Sequence, residues 1–517
     1  MSRRWWTLVV VCAATFMLLL DVTIVVVALP DIQRALGAEF GQLQWVTDAY
    51  ALALASLLLT AGSVADRVGR RRVFVIGLVV FTLGSLLCGV AVDPVMLVVS
   101  RAVQGVGGAM LFATSLALLA ANYHGRDRGV AFGVWGAVTG VSTALGPILG
   151  GLITTEISWR GIFLVNLPIG VVALVLALRQ VDESRSAHAR RIDWAGMMTF
   201  TGGLFALVFG LIEAGSGAWS DPEVIVAFCV AAVLLVGFVI VELRITEPMF
   251  DLSLLRTPTF VGGSIAAFTM NGSLFAMLLY LVLYLQDALG YSALQTGLRL
   301  LICSGATMVV ATFSGRASEH MPVRWLIGPG LFGVGIGLFV MGGLTTGSSW
   351  THLVPGLVVA GIGSGLVNPP LASTAVGVVD VHRSGMAAGI NNTCRQVGIA
   401  VGIAVYGSLF ASRMASSIAD HLIAHPELHS RSASFATAAH NGTLGEVLRT
   451  VPAAARGSVI DAVHAGFVDG MNLLFIVSGA VALVGAVCAV SLIRSKDFVA
   501  QRPPTSAQQP ADFEPVT

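Results

Sequence analysis

Apolar residues in this chain do not alternate with polar ones. They come in runs of about 20 or more, separated by short polar stretches. A run of that length crosses the hydrocarbon core of a bilayer as a helix. The pattern predicts spans at roughly 5–29, 44–64, 72–92, 94–118, 129–153, 161–180, 194–213, 223–243, 258–286, 292–316, 324–344, 352–375, 386–412 and 467–494. Arg3 and Arg4 before the first run resemble the start of a secretory signal. The run is too long for a signal, and no convincing cleavage site follows, so it reads as the first span.

The loops test that count. If the N-terminus is cytoplasmic, every second loop should collect arginine. One set of loops holds Arg67, Arg70, Arg71 and Arg72, then Arg126 and Arg128, then Arg179, Arg185, Arg190 and Arg191. It continues with Arg244, Arg256, Arg316, Arg324, Arg383, Arg494 and Lys496. The opposite short loops hold only Arg34 and Arg160, with Asp93, Glu156, Asp221, Glu223 and Asp287 at their edges. The alternation predicts a multi-pass cell-membrane protein with both termini cytoplasmic.

Residues 413–466 break the run of short connections and are expected to form a long polar loop on the outer side. His421, His425 and His429 are spaced by four within it, which suggests a metal site. Pro426 interrupts any helix that would align the rings, so the segment reads instead as solvated loop. The tail 495–517, with Pro503, Pro504 and Pro510, is expected to be disordered and cytoplasmic.

Composition agrees with the pattern. Of 517 residues, 56% are hydrophobic and 11% charged, and the mean hydropathy is +0.86, too apolar for a water-soluble chain. A net charge of +1 gives no footprint for nucleic acid. Cys12, Cys88, Cys229, Cys303, Cys394 and Cys488 all lie in apolar runs without metal-ligand spacing. No Gly-rich loop ends in Lys-Ser/Thr, which speaks against ATP hydrolysis.

The two halves of the chain superimpose in sequence. Gly62 to Arg71 matches Gly315 to Arg324, with Gly on Gly, Asp66 on Glu319 and Arg71 on Arg324. Gly105-Val106-Gly107 matches Gly361-Ile362-Gly363, and Gly129 to Gly133 matches Gly385 to Gly389. Repeats of six helices are the sequence mark of secondary transporters, whose cargo site lies near the midplane between the halves. The expected organisation is an all-α membrane protein of two six-helix bundles, 1–180 and 258–494. Residues 181–257 supply two inserted helices with their linkers.

Several motifs carry a resemblance. The loop Gly62, Asp66, Arg67, Gly69, Arg70, Arg71 and the span-4 set Arg101, Gln104, Gly105, Gly107, Gly108 are two of them. Span 5 holds Gly140, Gly146, Pro147, Gly150 and Gly151, and span 6 begins with Trp159, Arg160, Phe163, Asn166, Pro168 and Gly170. With Asn368, Pro369, Pro370, Gly389, Asn391, Asn392, Arg395 and Gln396, these make the chain resemble the fourteen-span drug:proton antiporters of the major facilitator superfamily. The resemblance runs to about residue 495. It implies two bundles with an inserted pair, a conformational latch at residues 62–71, and an exporter motif at Gly146, Pro147, Gly150 and Gly151. The chain departs from that family at Ser142, where glycine is usual, and at Val26, where asparagine is usual.

Among ionisable residues, Asp21 stands out. It lies about 22 Å along span 1, and Arg101 lies at similar depth in span 4, counted at 1.5 Å per residue. An intramembrane carboxylate is a functional position by default. The expected roles are proton coupling at Asp21, tuned by Arg101, with a structural ion pair as the plain alternative. Asp48, Tyr50, Gln104, Asn271, Asn391 and Arg395 are the candidates to line the cargo cavity. The expected activity is proton-driven export of hydrophobic or cationic drugs or antibiotics, without enzymatic chemistry, cofactor or metal. Export of a dedicated lipid, siderophore, amino acid or other metabolite is the alternative. The expected partners are the cargo, protons and membrane lipids, with the chain acting as a monomer.

Overall fold

The computed structural model describes residues 3–123, 125–185, 193–216, 219–318, 321–379, 384–423, 426–440 and 444–498. Arg190, Arg191, Glu319, His320, Arg383, His425 and the tail from 499 onward, all used in the sequence reading, lie outside the described residues.

Among the described residues every regular element is helical. The long helices are α1 (Arg3–Leu36), α2 (Phe40–Val68), α3 (Arg70–Gly89), α4 (Pro94–Asn122), α5 (Gly125–Glu156), α6 (Gly161–Gln180), α7 (Trp194–Ser216) and α8 (Pro222–Arg244). They continue with α9 (Pro258–Ala288), α10 (Ala293–Ala317), α11 (Arg324–Met341), α12 (Val354–Gly377), α13 (Ser384–His421) and α14 (Arg456–Leu492). All except α5 are apolar and long enough to cross a membrane by composition and length. α5, at 32 residues, has the length. The lipid-facing character is plain on α8, where Val226, Val233 and Leu243 are 60–70% exposed. Such a surface is stable only in an apolar medium.

Chain direction places both ends of the described chain on one face. Tyr123, after α4, donates to the Arg4 carbonyl at the start of α1. Thr259, at the start of α9, bonds Asp497 and the Arg494 carbonyl beyond α14. We call this the terminal face and the other the far face.

α1 packs on α4, α5 and α6, and α4 also packs on α2 and α3. In the second half α12 packs on α10 and α11, and α14 on α9, α11 and α13. The two groups join along two seams, α2 against α13 and α5 against α10. Each seam pairs a second helix of one half with a fifth helix of the other, as a pseudo-two-fold requires. The inserted pair α7 and α8 is not symmetric. α7 lies over the α2–α13 seam, where Leu204, Val208 and Ile212 pack with Leu52, Ala400 and Ala404.

The segment 413–466 differs from the polar loop expected. α13 continues to His421, α14 begins at Arg456, and short helices lie between them. The extensions persist because they carry an apolar stripe: Met414 and Ile418 of α13, and Leu422 in the turn after it, are buried with Phe435, Val459 and Val463. Their spacing by four was readable as a helical face. His421 and His429 turn their rings to the backbone carbonyls of Ser417 and Ala419. No group of metal-binding side chains occurs among the described residues.

Candidate functional site: a buried carboxylate network beside an inter-bundle cavity

The glycines of α4 bring its neighbours close. A Cβ on Gly105 would meet the Tyr50 carbonyl oxygen at 2.6 Å and the Ala53 Cβ at 2.9 Å, so α2 touches α4 backbone to backbone. The other half repeats this contact: Gly361 of α12 lies on the Cys303 carbonyl and the Ala306 Cβ of α10, at 2.5 and 2.9 Å. Gly107 lies on Gly77 and Phe81 of α3 as Gly363 lies on Gly330 and Val334 of α11. The sequence repeat therefore encodes the same helix–helix contacts twice.

This close packing seats Arg101 against α1 and α2. Its Nη1 donates to Asp21 Oδ2 at 2.5 Å and to Gln104 Oε1 at 2.6 Å, and its Nε donates to the Val46 carbonyl at 3.0 Å. The second oxygen of Asp21 accepts from Gln104 Nε2 at 2.7 Å and from Asn166 Nδ2 at 3.2 Å. Ser85 Oγ accepts from both amides. Asp21 is 0% and Arg101 2% exposed, and the guanidinium stacks 4.2 Å from the Tyr50 ring centroid. Five residues from α1, α3, α4 and α6 thus bind one another, with Asn166 Oδ1 buried and left without a partner among the described residues. Hydrogen bonds to both charged groups are what keep a buried charge pair tolerable. Ser85 was not singled out in the sequence. A lone serine in an apolar run is ordinary, and only packing places it at the depth of Asp21.

A cavity adjoins this network between the two halves. It is walled by Val22, Thr23, Val26 and Val27 of α1, Thr47, Tyr50 and Ala51 of α2, Arg101 of α4 and Pro147 of α5. The opposite wall is Phe275, Leu278 and Leu279 of α9, Leu300 of α10, and Gln396, Ile399 and Ile403 of α13. The wall is overwhelmingly apolar, and Val26, the departure from asparagine, is part of it.

Of the cavity candidates from sequence, Tyr50 is in this wall, and Gln104 stands behind it in the Asp21 network. Asp48 is not in the wall. It is fully buried, and neither carboxylate oxygen has a hydrogen-bond partner among the described residues. Helical phase explains this: Thr47 and Ala51 face the cavity, while Asp48 is turned from it. Asn271 donates back to the Ala267 carbonyl of its own helix at 2.9 Å, in a stretch where α9 widens to π-helical turns. Asn391 Nδ2 reaches the Gly263 carbonyl of α9 at 3.5 Å. Arg395 reaches towards α12, where Nη1 donates to Asn368 Oδ1 at 2.9 Å, and its Nε donates to Asn391 Oδ1 at 3.3 Å.

The span-5 motif is the wedge between the bundles. Gly146 and Gly150 lie against Thr23 and Ile24 of α1. Gly151 lies on Ala293 and Leu294 of α10, and Gly297 of α10 on the Pro147 carbonyl. Thr155 accepts from the Leu294 N–H at 3.2 Å. The far half of the other seam is closed by Gln44, which donates to Tyr280 and to the Ile403 carbonyl at 3.2 and 3.0 Å. Gln286 of α9 donates to the Val27 carbonyl of α1 at 2.8 Å. Towards the terminal face α5 and α10 offer open space beside Gly136 and Gly305, and Met308, Val309 and Phe313 are exposed.

The loop 62–71 is bound within the first half. Asp66 pairs with Arg70 at 2.9 Å. Glu183, beyond α6, accepts from the backbone N–H of Arg71 at 3.0 Å and of Arg72 at 3.3 Å, capping the start of α3 with a carboxylate. Arg71 donates to the carbonyls of Ala177 and Leu178. Gly69 has φ +129°, open to glycine, and a Cβ there would strike the Glu183 carboxylate at 2.6 Å. Gly62 has only the Ala113 Cβ near it, at 4.0 Å, and Arg67 is exposed. Glu183 is the member of this assembly that sequence reasoning missed.

Two helical halves related by a repeat, a midplane cavity between them and a buried charge network on its wall define a multi-pass secondary transporter, not an enzyme. The chain belongs to the major facilitator superfamily, whose profile matches residues 11–403. It is 33% identical to the tetracenomycin C resistance and export protein of Streptomyces glaucescens, over 99% of this chain and 95% of that one. It is 38% identical to the puromycin resistance protein pur8 of Streptomyces alboniger, over 77% of this chain and 80% of that one. Among solved structures, a bacterial homolog of the human lysosomal transporter Spinster, inward-facing and occupied, covers 96% of this chain and 99% of its own. Its TM-score is 0.62 and its sequence identity 17%.

Proposed function

We propose that this protein exports drug-like or antibiotic molecules across the cytoplasmic membrane in exchange for protons, by alternating access. The single observation that carries the reading is Asp21. It is a carboxylate at mid-membrane, sealed from water, whose charge is balanced by one arginine on the wall of the inter-bundle cavity. Protonating Asp21 removes the charge that holds Arg101, so proton loading and cargo contact compete at one place. Tyr50, stacked on Arg101 and facing the cavity, is where the two meet. Relatives named for resistance to puromycin and for export of tetracenomycin C support an exporter of bulky natural products.

The domain organisation follows: bundles 1–180 and 258–494, joined by the inserted segment 181–257. The arginine-rich face is cytoplasmic by the positive-inside rule, and it is the terminal face. The α5–α10 seam has open space towards that face, while the α2–α13 seam is packed there, with Gly389 on Leu59 and Thr393 donating to the Ala55 carbonyl at 3.1 Å. Asp66, Arg70 and Glu183 act as the latch that stiffens the first bundle as it rocks. The gradient alone drives the cycle, no cofactor takes part, and one chain contains the whole path.

The test is efflux of a fluorescent dye from cells overexpressing the protein, with and without a protonophore, beside Asp21→Asn. Efflux that collapses in both cases is expected. Wild-type efflux by Asp21→Asn would remove Asp21 from the proton path.

A further inference from the structure

We propose that Arg395 recognises an acidic group on the cargo, so that the exporter takes amphiphiles bearing a carboxylate or comparable oxyanion. This rests on the export reading above and names its substrate class.

The two membrane-buried arginines near the cavity are provided for very differently. Arg101 has its carboxylate, Asp21, at 2.5 Å. Arg395 has none: both of its hydrogen-bond partners, Asn368 and Asn391, are neutral amides, and no acid pairs with it among the described residues. It lies about 17 Å along α13, roughly half the depth of a 30 Å core. An arginine at that depth is expensive and is retained where it meets a counter-ion. Here the protein supplies none, which leaves that place to a ligand.

The site is built. Asn368 is itself held by Ser364, through the carbonyl and Oγ, both at 3.2 Å. Asn391 is tied to Gly263 of α9 at 3.5 Å. Three helices therefore fix the guanidinium; Arg395 is a partly buried residue whose chain neighbour Gln396, rather than Arg395 itself, lines the cavity. A fixed guanidinium fork matches a carboxylate in two parallel hydrogen bonds. The apolar wall of Val26, Phe275 and Leu278 accepts the rest of an amphiphile. The acids that would recruit a cation are not free to do so, since Asp21 is neutralised and Asp48 is turned from the cavity.

The experiment compares proton-driven transport of dansyl-aminoundecanoic acid with that of its carboxamide, in vesicles holding the full chain. Wild type is expected to prefer the acid. Arg395→Gln is expected to lower transport of the acid about tenfold or more and to leave the amide within about twofold, with Arg395→Lys intermediate. Equal transport of the two probes by wild type, or equal loss of both in Arg395→Gln, overturns the proposal. Should neither probe be transported, the export reading is what fails. Arg395 is then judged by dansyl fluorescence on the purified protein: acid binding lost in Arg395→Gln sustains it, and unchanged or absent binding overturns it.

Discussion

Pro147 and Gly297 meet across the α5–α10 seam, where the Pro147 carbonyl oxygen lies 2.0 Å from the place a Cβ on Gly297 would take. The obstacle is backbone on both sides, so no rotamer relieves it. Gly297→Val is expected to hold this seam apart on the far face. Efflux should fall at least about tenfold with membrane expression unchanged, since cores reject added volume at such contacts. A cysteine at position 155 should become more reactive to a membrane-impermeant thiol reagent. Unchanged labelling would show that the seam closes without this contact.

The Asp21–Arg101 pair predicts a non-additive pattern of stability. Arg101→Ala leaves a buried carboxylate with only neutral amides around it, a change that costs about 3–5 kcal/mol. Thermal unfolding in detergent should show a large drop in Tm. Combining Asp21→Asn with Arg101→Gln should recover most of that stability and none of the proton-linked transport. A double variant as unstable as Arg101→Ala would mean that charge balance is not what the pair supplies.

The doubled glycine contacts predict matched sensitivities in the two halves. Gly105→Val and Gly361→Val each push against a carbonyl of the neighbouring helix, and each should destabilise by about 1–3 kcal/mol or more. Gly136→Ala, with nothing within 4 Å, is the control and should express as wild type. A large effect of Gly361→Val beside none for Gly105→Val would break the pseudo-symmetry.

Glu183 predicts a property of the loop after α2. Glu183→Ala removes the acceptor of two N–H groups at the start of α3, worth about 1 kcal/mol. Trypsin should then cut faster at Arg70–Arg72, and transport should slow. Gly69→Ala should do the same by strain and by displacing Glu183. Equal proteolysis of wild type and Glu183→Ala would show that the carboxylate does not hold this loop.

Much of this protein was written in one dimension. Run lengths of apolar residues determined the membrane helices, because bilayer thickness sets how many residues a span needs. The repeat determined two like bundles, and the glycine pairs that carry it proved to be the same contacts made twice. The depth of Asp21 and Arg101 followed from counting residues along straight helices.

What counting leaves open is azimuth, since neighbouring positions on a helix point about 100° apart. Asp48 looks like a cavity residue in sequence, but the packing of α2 turns Thr47, Tyr50 and Ala51 to the cavity instead. Ser85 and Glu183 acquire meaning only when other helices bring their partners to them. The length of α13 and α14 beyond the membrane depended on apolar stripes that need each other to be buried. Arg101 and Arg395 read alike in sequence as intramembrane arginines. Only the tertiary structure decided that one has its counter-charge and the other does not, because a pair is made by helices meeting in space.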